Sequence, residues 1–505
     1  MKKIMFSTIL FSLMLSACAV DSGFDVQPQN GNNTDTAINL TPATGEAVNL
    51  TTTADSTSTF FRGTIPTVSG TNMAPTTIEL DPSQQYQTMD GFGFAMTYSS
   101  AYNLLKMSPE NRHAFLTRTF STTEGYGVSY LRISIGCNDF SSTEYTLCDQ
   151  QGLDHFALQS DEINYVIPML KEVIAINPNI KIIASPWTCP KWMKMNDDLT
   201  SSYDSWTDGR LNPEMRTTYA EYFVRFIQAM KNEGINIYAV TPQNEPLNKG
   251  NCASLYMPWE DEAPFVKALA GAFHDNGITT KIYLYDHNYD YSGISSQQDY
   301  PIKIYQTLGN DFPGAELVAG SAWHDYGGRN TTLTDVYSKA PDKEIIFSES
   351  SIGTWNKGNQ LTNTLISEMR DMVIGTVNKM SRAVIVWNLM LDDRRGPNLE
   401  GGCQTCYGAV DINSSDYSSL KYNGHYFVIC HASAVVEPGA VRIGVKRDTE
   451  LSNLIHSDFV NPDGTYASLL CNTGDEAAKV TLSDGQKYFQ ATVPAYSVVS
   501  VKWSK

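Results

Sequence analysis

From Gly91 to about residue 390, short apolar runs alternate with longer stretches whose apolar positions recur at helical spacing. The runs are Gly91–Met96, Tyr130–Ile135, Ile180–Pro186, Ile237–Thr241, Lys281–Asp286, Leu317–Ala322, Glu344–Ser348 and Ala383–Leu389. Each predicts a buried strand. The stretch from Glu214 to Lys231 shows the intervening pattern, with Tyr219, Tyr222, Phe223, Phe226, Ile227 and Met230 on one helical face. Eight such alternations predict an α/β fold, a (β/α)8 TIM barrel. A doubly wound open sheet fits less well, because no G-x-G-x-x-G loop follows the first strand.

A final helix is expected over Lys421–Val436. After Gly439 the pattern changes to short strands: Val441–Val445, Leu454–Phe459, Ala467–Cys471, Lys479–Leu482, Phe489–Val493 and Ser497–Trp503. Turn residues such as Asn461-Pro462-Asp463-Gly464 separate them. They predict a small attached β-sandwich, built mainly from the C-terminus and joined by N-terminal strands. The expected division is a signal at 1–17, a flexible tether at 18–75, sandwich strands at 76–90, the barrel at 91–436 and the sandwich at 437–505.

The tether reading rests on composition, since residues 19 to about 75 are rich in Thr, Ser, Asn, Gly and Pro. Ahead of it, Lys2 and Lys3 precede the apolar run Ile4–Leu15, which is short for a membrane span. Leu15-Ser16-Ala17-Cys18 resembles a bacterial lipoprotein cleavage site, and Cys18 would then carry the lipid. The expected location is the bacterial cell envelope, with membrane contact only through that lipid. The 505 residues carry a net charge of −18, which argues against nucleic acid and against capture by anionic lipid. A neutral substrate is compatible with it, and the 8 Trp and 27 Tyr would suit a sugar. Setting Cys18 aside, eight cysteines remain. Cys137 and Cys148 could staple a loop. Cys403-Gln404-Thr405-Cys406 reads as a loop disulfide, because no further ligands stand at zinc-site spacing. No metal and no cofactor is expected.

The chemistry centres on Thr241-Pro242-Gln243-Asn244-Glu245-Pro246. The strand before it must end at the prolines, which leaves Glu245 on the rim of the sheet. Glu349 closes a second strand in the same way. In a barrel of this kind the active site lies at the C-terminal strand ends. Ser185-Pro186-Trp187, Asn244-Glu245, Asp286-His287-Asn288, Trp323-His324-Asp325-Tyr326, Glu349 and Trp387-Asn388 all fall there. Two carboxylates in such a setting are the equipment of a glycosidase. The chain lacks a G-x-S-x-G elbow and an H-E-x-x-H motif, so esterase and zinc-protease chemistry are disfavoured.

Taken in order, Asp90-Gly91-Phe92-Gly93, Ala184-Ser185-Pro186-Trp187-Thr188, Thr241 to Pro246, Ser348-Glu349 and Gly396-Pro397-Asn398 resemble glycoside hydrolase family 30, which also holds the glucosylceramidases. The resemblance spans roughly residues 76–505 and implies a barrel with an attached sandwich. It implies a retaining β-glycosidase with Glu245 as acid/base and Glu349 as nucleophile. It places Asp139, Trp187, Asn244, His324, Tyr326, Trp387 and Asn398 on the substrate, and Arg132 behind the nucleophile. Trp323, Trp355 and the loop around Cys403 and Cys406 would wall a funnel. The expected activity is endo-cleavage of a β-linked glucan polysaccharide, β-1,6-glucan, by a monomer. The alternatives are another β-glycosidase of the family (glucosylceramidase-like, β-glucosidase or xylanase) or a surface glycan-binding lipoprotein without catalysis.

Overall fold

The computed structural model describes residues 38, 40–70 and 76–505. The signal, Cys18 and the first part of the expected tether lie outside the described residues. Eight parallel strands close into a barrel in sequence order: Gly91–Ala95, Tyr130–Ser134, Lys181–Ser185, Ala239–Val240, Lys281–Asn288, Val318–His324, Glu344–Glu349 and Ser381–Asn388. All eight runs read from the hydrophobic pattern are there. The fourth is only two residues long. Closure comes where the last strand pairs with the first, Ala383 opposite Gly91 and Ile385 opposite Gly93. Gly93 is required by the close packing of the wall, since a Cβ there would stand 1.8 Å from the Tyr130 carbonyl oxygen.

Side chains alternate inward and outward along each strand. Tyr130, Ile183, Ala239, Tyr283, Ala322, Ile346, Ala383 and Ile385 point inward and fill the barrel as a separate buried cluster. The outward residues pack under the helices. Helix Arg216–Asn232 buries Tyr219, Tyr222, Phe223, Phe226, Ile227 and Met230, the face its periodicity predicts.

The sandwich is one nine-stranded sheet rolled on itself. Its order is Phe61–Pro66, Glu46–Thr53, Ser497–Trp503, Tyr466–Asn472, Leu454–Val460, Val441–Arg447, Thr77–Thr88, Ala478–Ser483 and Tyr488–Val493. A bridge between Thr67 and Phe489 joins the two outer edges. Ile78, Leu80, Leu482, Phe489, Val501 and Trp503 form its core. Two of these strands correct the tether reading of 18–75. Residues 46–53 pair along their length with 497–503, and Thr51, Thr52 and Thr53 are buried. Threonine counts as polar in a composition, but its branched Cβ favours a half-buried strand.

The last helix is shorter than expected, Gly424–Ser433, and Leu420–Tyr422 before it is a strand. Every residue of this helix is buried between barrel and sandwich. His431 ties the two units, with Nδ1 at 2.9 Å from Ser500 Oγ and Nε2 at 2.8 Å from Thr52 Oγ1. Cys403 and Cys406 form a disulfide, as their spacing predicts. Cys137 and Cys148 do not pair. Both thiols are free and buried, and the Cys148 thiol donates instead to the Gln150 and Gly152 carbonyls.

Candidate active site

The C-terminal mouth of the barrel collects the ends of strands two to eight around one buried guanidinium. Arg132, fully buried, is the middle residue of strand two, Tyr130–Ser134. Its Nη1 donates to Glu349 Oε2. Its Nη2 donates to Asn244 Oδ1 at 2.7 Å and to Asp286 Oδ2 at 2.9 Å. Trp187 and Trp387 stack on each other with centroids 5.2 Å apart, and the guanidinium carbon lies 5.1 and 5.4 Å from their rings. The two tryptophans therefore fix the arginine as well as forming the floor of the site.

Asp286 was read from the sequence only as part of a polar strand end. The structure makes it the hub of the site. It is fully buried and bonds Arg132, His324 Nε2 at 3.0 Å, Thr241 Oγ1 at 2.8 Å, Ser185 Oγ at 3.0 Å and Ser348 Oγ at 2.6 Å. It owes this position to a bulge. Tyr285 pairs with Ala322 and His287 with Trp323, which leaves Asp286 as the extra residue. Tyr285 and Asp286 take φ of 74° and 59° to make it. Such bulges re-aim side chains beside active sites. Burial works against an ionised Asp286, but the Arg132 charge and the His324 bond outweigh it and hold the carboxyl well below the usual range.

His324 stands between the two glutamates. Burial opposes its charge, but the Glu349 carboxylate and the bonds to Asp286 and Glu245 push its pKa up to about 10. At neutral pH it is a cation, donating from Nε2 to Asp286 and from Nδ1 to Glu245 Oε1 at 3.4 Å. A charged imidazole has no lone pair for a metal. The close group of Glu245, His324 and Glu349 is therefore a charge cluster, with one ligand-type atom of each within 4.8 Å of the others.

Glu245 sits just past strand four with φ 46°, its N–H donating to the Asp286 carbonyl at 3.0 Å. Asn248 and Asn251 donate to its Oε2 at 2.8 and 3.1 Å. The sequence reading missed both amides. Glu349 ends strand seven, takes the Arg132 bond, and accepts from the Tyr326 hydroxyl at 3.0 Å. Burial raises both carboxyls. At Glu245 the His324 bond and the charges of His287 and His324 reverse the shift and bring it to about 2. At Glu349 burial prevails over His324 and Arg132, and the shift is upward. The two carboxyls lie close enough for the titration of each to depend on the other. His287 is itself lowered to about 4 by burial, so it is neutral at neutral pH and does not act on Glu245 as a cation. Arg132 bonds only Glu349 of the two. Position distinguishes the two glutamates: Arg132 and Tyr326 hold Glu349, whereas His324, Asn248 and Asn251 hold Glu245.

Asp139 lies in the loop after strand two. Burial and the charges of Glu349 and Glu245 raise its carboxyl to about 7, which places it within the field of the pair. Asn398 stands in the same wall, but its amide N–H groups hold the Arg395 carbonyl at 2.9 Å and the Cys403 carbonyl at 3.4 Å. It shapes the disulfide loop. Trp323, expected to wall the funnel, is fully buried on the outer side of strand six, with its ring against Tyr285 and its N–H on Ser321 Oγ. Strand alternation sends Trp323 outward because it sends His324 inward. Trp355 is 56% exposed beside the cleft and remains available as a wall.

Comparison with known proteins agrees with this architecture along almost the whole chain. The profile of the glycosyl hydrolase family 30 TIM-barrel domain matches residues 89–433. That of the glycosyl hydrolase family 30 beta sandwich domain matches residues 439–501. An endo-1,6-beta-D-glucanase of Trichoderma harzianum is 30% identical over 447 residues, covering 83% of this chain and 85% of its own. The lysosomal acid glucosylceramidase of Mus musculus is 26% identical over 462 residues, covering 85% and 83%. The solved structure of an endo-beta1,6-glucanase superimposes with a TM-score of 0.86 at 53% identity, over 91% of this chain and 100% of that one.

Proposed function

The chain belongs to glycosyl hydrolase family 30, and from that premise we propose that it cleaves β-1,6-linked glucan internally, with retention of configuration. The observation that carries the mechanism is the closeness of the two glutamates. Their nearest oxygens fall within 4.8 Å. A covalent, retaining route needs carboxyl groups about 5–5.5 Å apart, whereas an inverting site leaves about 6.5–9.5 Å for a water.

Glu349 attacks the anomeric carbon, and the bond to the leaving oxygen breaks as Glu245 gives that oxygen its proton. The product is a glycosyl ester on Glu349 and a shortened glucan. Glu245, now ionised, takes a proton from water, and that water opens the ester from the opposite face. Arg132 and Tyr326 hold Glu349 in line. His324 supplies a fixed cation that limits repulsion between the carboxylates when both are charged. Asn244, anchored by Arg132, presents its remaining amide hydrogens beside Glu349, where a 2-hydroxyl would lie.

The linkage rests on likeness to the two endo-1,6-glucanases named above, and the glucosylceramidase is the competing guide. Side-by-side hydrolysis of linear β-1,6-glucan, laminarin, a β-1,4-glucan, xylan and glucosylceramide tests it. The 1,6-glucan should turn over fastest and yield oligosaccharides early, with the β-anomer released first by NMR. Faster turnover of glucosylceramide or xylan would replace the substrate while leaving the two-glutamate mechanism in place. We also propose that Cys18 carries a lipid and fixes the enzyme, as a monomer, to the bacterial envelope. Cys18→Ala should then move it out of the membrane fraction.

A further inference from the structure

A cavity of about 340 Å³ opens beside Glu349 and shares a wall with the catalytic cleft. The shared wall is Tyr326, whose hydroxyl bonds both Glu349 Oε1 and Ser351 Oγ. Asp325, Glu368, Asp371 and His425 also line it. The rim carries Trp355.

Two features mark this cavity as built for a ligand. The first is unspent polarity. Neither carboxyl oxygen of Glu368 has a hydrogen-bond partner among the described residues, and neither does Nε2 of His425, whose side chain is 3% exposed. The two groups stand 3.8 Å apart, too far to satisfy each other. Orphaned buried polar atoms are costly in a folded protein, and a hydroxyl-bearing ligand would relieve them. The second is a fixed aromatic platform. Trp355 lies on Gly353, where a Cβ would stand 2.0 Å from the ring. Gly353 pairs with Cys406, and Thr354 N–H donates to the Thr405 carbonyl at 3.0 Å. The Cys403–Cys406 disulfide thus holds the arch that presents the indole.

We infer that this cavity is a second sugar subsite, binding one neutral hexose unit of the glucan next to the unit that reacts at Glu349. Its walls suit a sugar and not an anion. Asp325, Glu368 and Asp371 are acids, and His425 is pushed down to about 3 by burial, so it is neutral. Burial and the Asp325 charge raise Glu368 well above its usual value, so the wall favours a neutral hydroxyl over an anion. A metal fits less well. Among the described residues, the one group of three or more acidic, histidine or cysteine side chains with convergent ligand atoms is the catalytic one. The volume lies in the range of small-molecule pockets.

This inference rests on the proposed glucanase activity, and its test separates the two. Trp355→Ala and Glu368→Gln are compared with the parent on linear β-1,6-glucan and on a nitrophenyl β-glucoside, which has no second sugar unit. In both variants the ratio of kcat/KM on polymer to kcat/KM on the aryl glucoside should fall about tenfold, the size of losing one aromatic or buried polar anchor. An unchanged ratio in Trp355→Ala overturns the subsite. Equal losses on both substrates overturn it as well, because they mark support of the fold. Loss of polymer activity on chelation, restored by calcium, would make the acidic wall a cation site instead. If the parent cleaves a different β-glucan, the linkage reading fails, and the same ratio is measured on that glucan.

Discussion

The two mouths of the barrel are both ringed with charge, and they differ in how the charge is balanced. At the N-terminal mouth, Asp90 bonds Lys181 at 2.6 Å and Arg382 at 3.3 Å. Glu344 bonds Lys281 at 2.8 Å and Arg382 at 3.0 Å, and accepts from the Tyr283 hydroxyl at 2.6 Å. Each carboxylate there has two cations. At the C-terminal mouth, Glu245, Asp286 and Glu349 share Arg132 and His324, so three acids face two cations. Asp286 bonds both cations and each glutamate bonds one of them, so the cations are shared rather than paired off. An uncompensated charge in a buried cluster shifts the pKa values of its neighbours. The lower ring closes the barrel, and the upper one holds carboxyls whose proton affinity its two cations set.

Removing either glutamate of the upper ring should give the largest effects. Glu349→Gln should cut hydrolysis of the natural glucan by about five to six orders of magnitude, the scale of losing a nucleophile. Its circular dichroism should stay that of the parent, and activity within a hundredfold of the parent would refute the assignment. Glu245→Gln should cost about two to four orders of magnitude on the polymer. On a substrate with a good leaving group it should show a burst followed by slow turnover, since only the second step still needs a base. Equal slowing of both steps would show that Glu245 does not assist the leaving group.

His324→Asn tests the charge count itself. Losing a cation raises the pKa of nearby carboxyls, so the pair keeps its proton to higher pH. The whole pH profile of kcat/KM should move to higher pH by about one unit or more, with a fall of roughly 10²-fold at its maximum. A profile that stays in place, or moves to lower pH, would mean that His324 is not the balancing cation. The parent profile should show no break from His324 below its pKa of about 10.

The barrel strands were legible because each is an apolar run closed by a polar end, and that pattern survives any tertiary context. Glu245 and Glu349 were legible for the same reason, as polar residues at or just past strand termini, and Arg132 as a charge set inside an apolar strand. Asp286 was not picked out, since its place depends on a one-residue bulge that only the Val318–His324 strand reveals. Asn248 and Asn251 were missed because they reach Glu245 through a loop whose path no periodicity encodes. Trp323 was misplaced by parity, as a shift of one residue exchanges cleft and outer wall. The strand at 46–53 was hidden by threonine-rich composition and by a partner, 497–503, more than 400 residues away, and the strand at 61–66 pairs only onto it. The lower ring was invisible as a unit. Asp90 stood out in its motif, but Glu344 and Arg382 join it only once the barrel closes.

The smallest expected effect on catalysis lies in that lower ring, and it decides whether the comparison is sound. Glu344→Gln keeps the shape and an acceptor for Tyr283, but leaves Lys181, Lys281 and Arg382 facing Asp90 alone. Breaking a fully buried pair costs about 3–5 kcal/mol. These side chains are 19–28% exposed, so water screens part of the loss. The expected cost is about 2 kcal/mol, read as a lower denaturant midpoint. Activity should stay within about twofold, since distant sites without shared partners act independently. Between the rings lies the inward layer of Tyr130, Ile183, Tyr283, Ile346 and Ile385, which offers no charge to relay. A tenfold loss of kcat in a variant that remains folded would show that the lower ring sets the geometry of the upper one. The two mouths would then be one electrostatic unit, and the surplus acid at the top could no longer be counted alone.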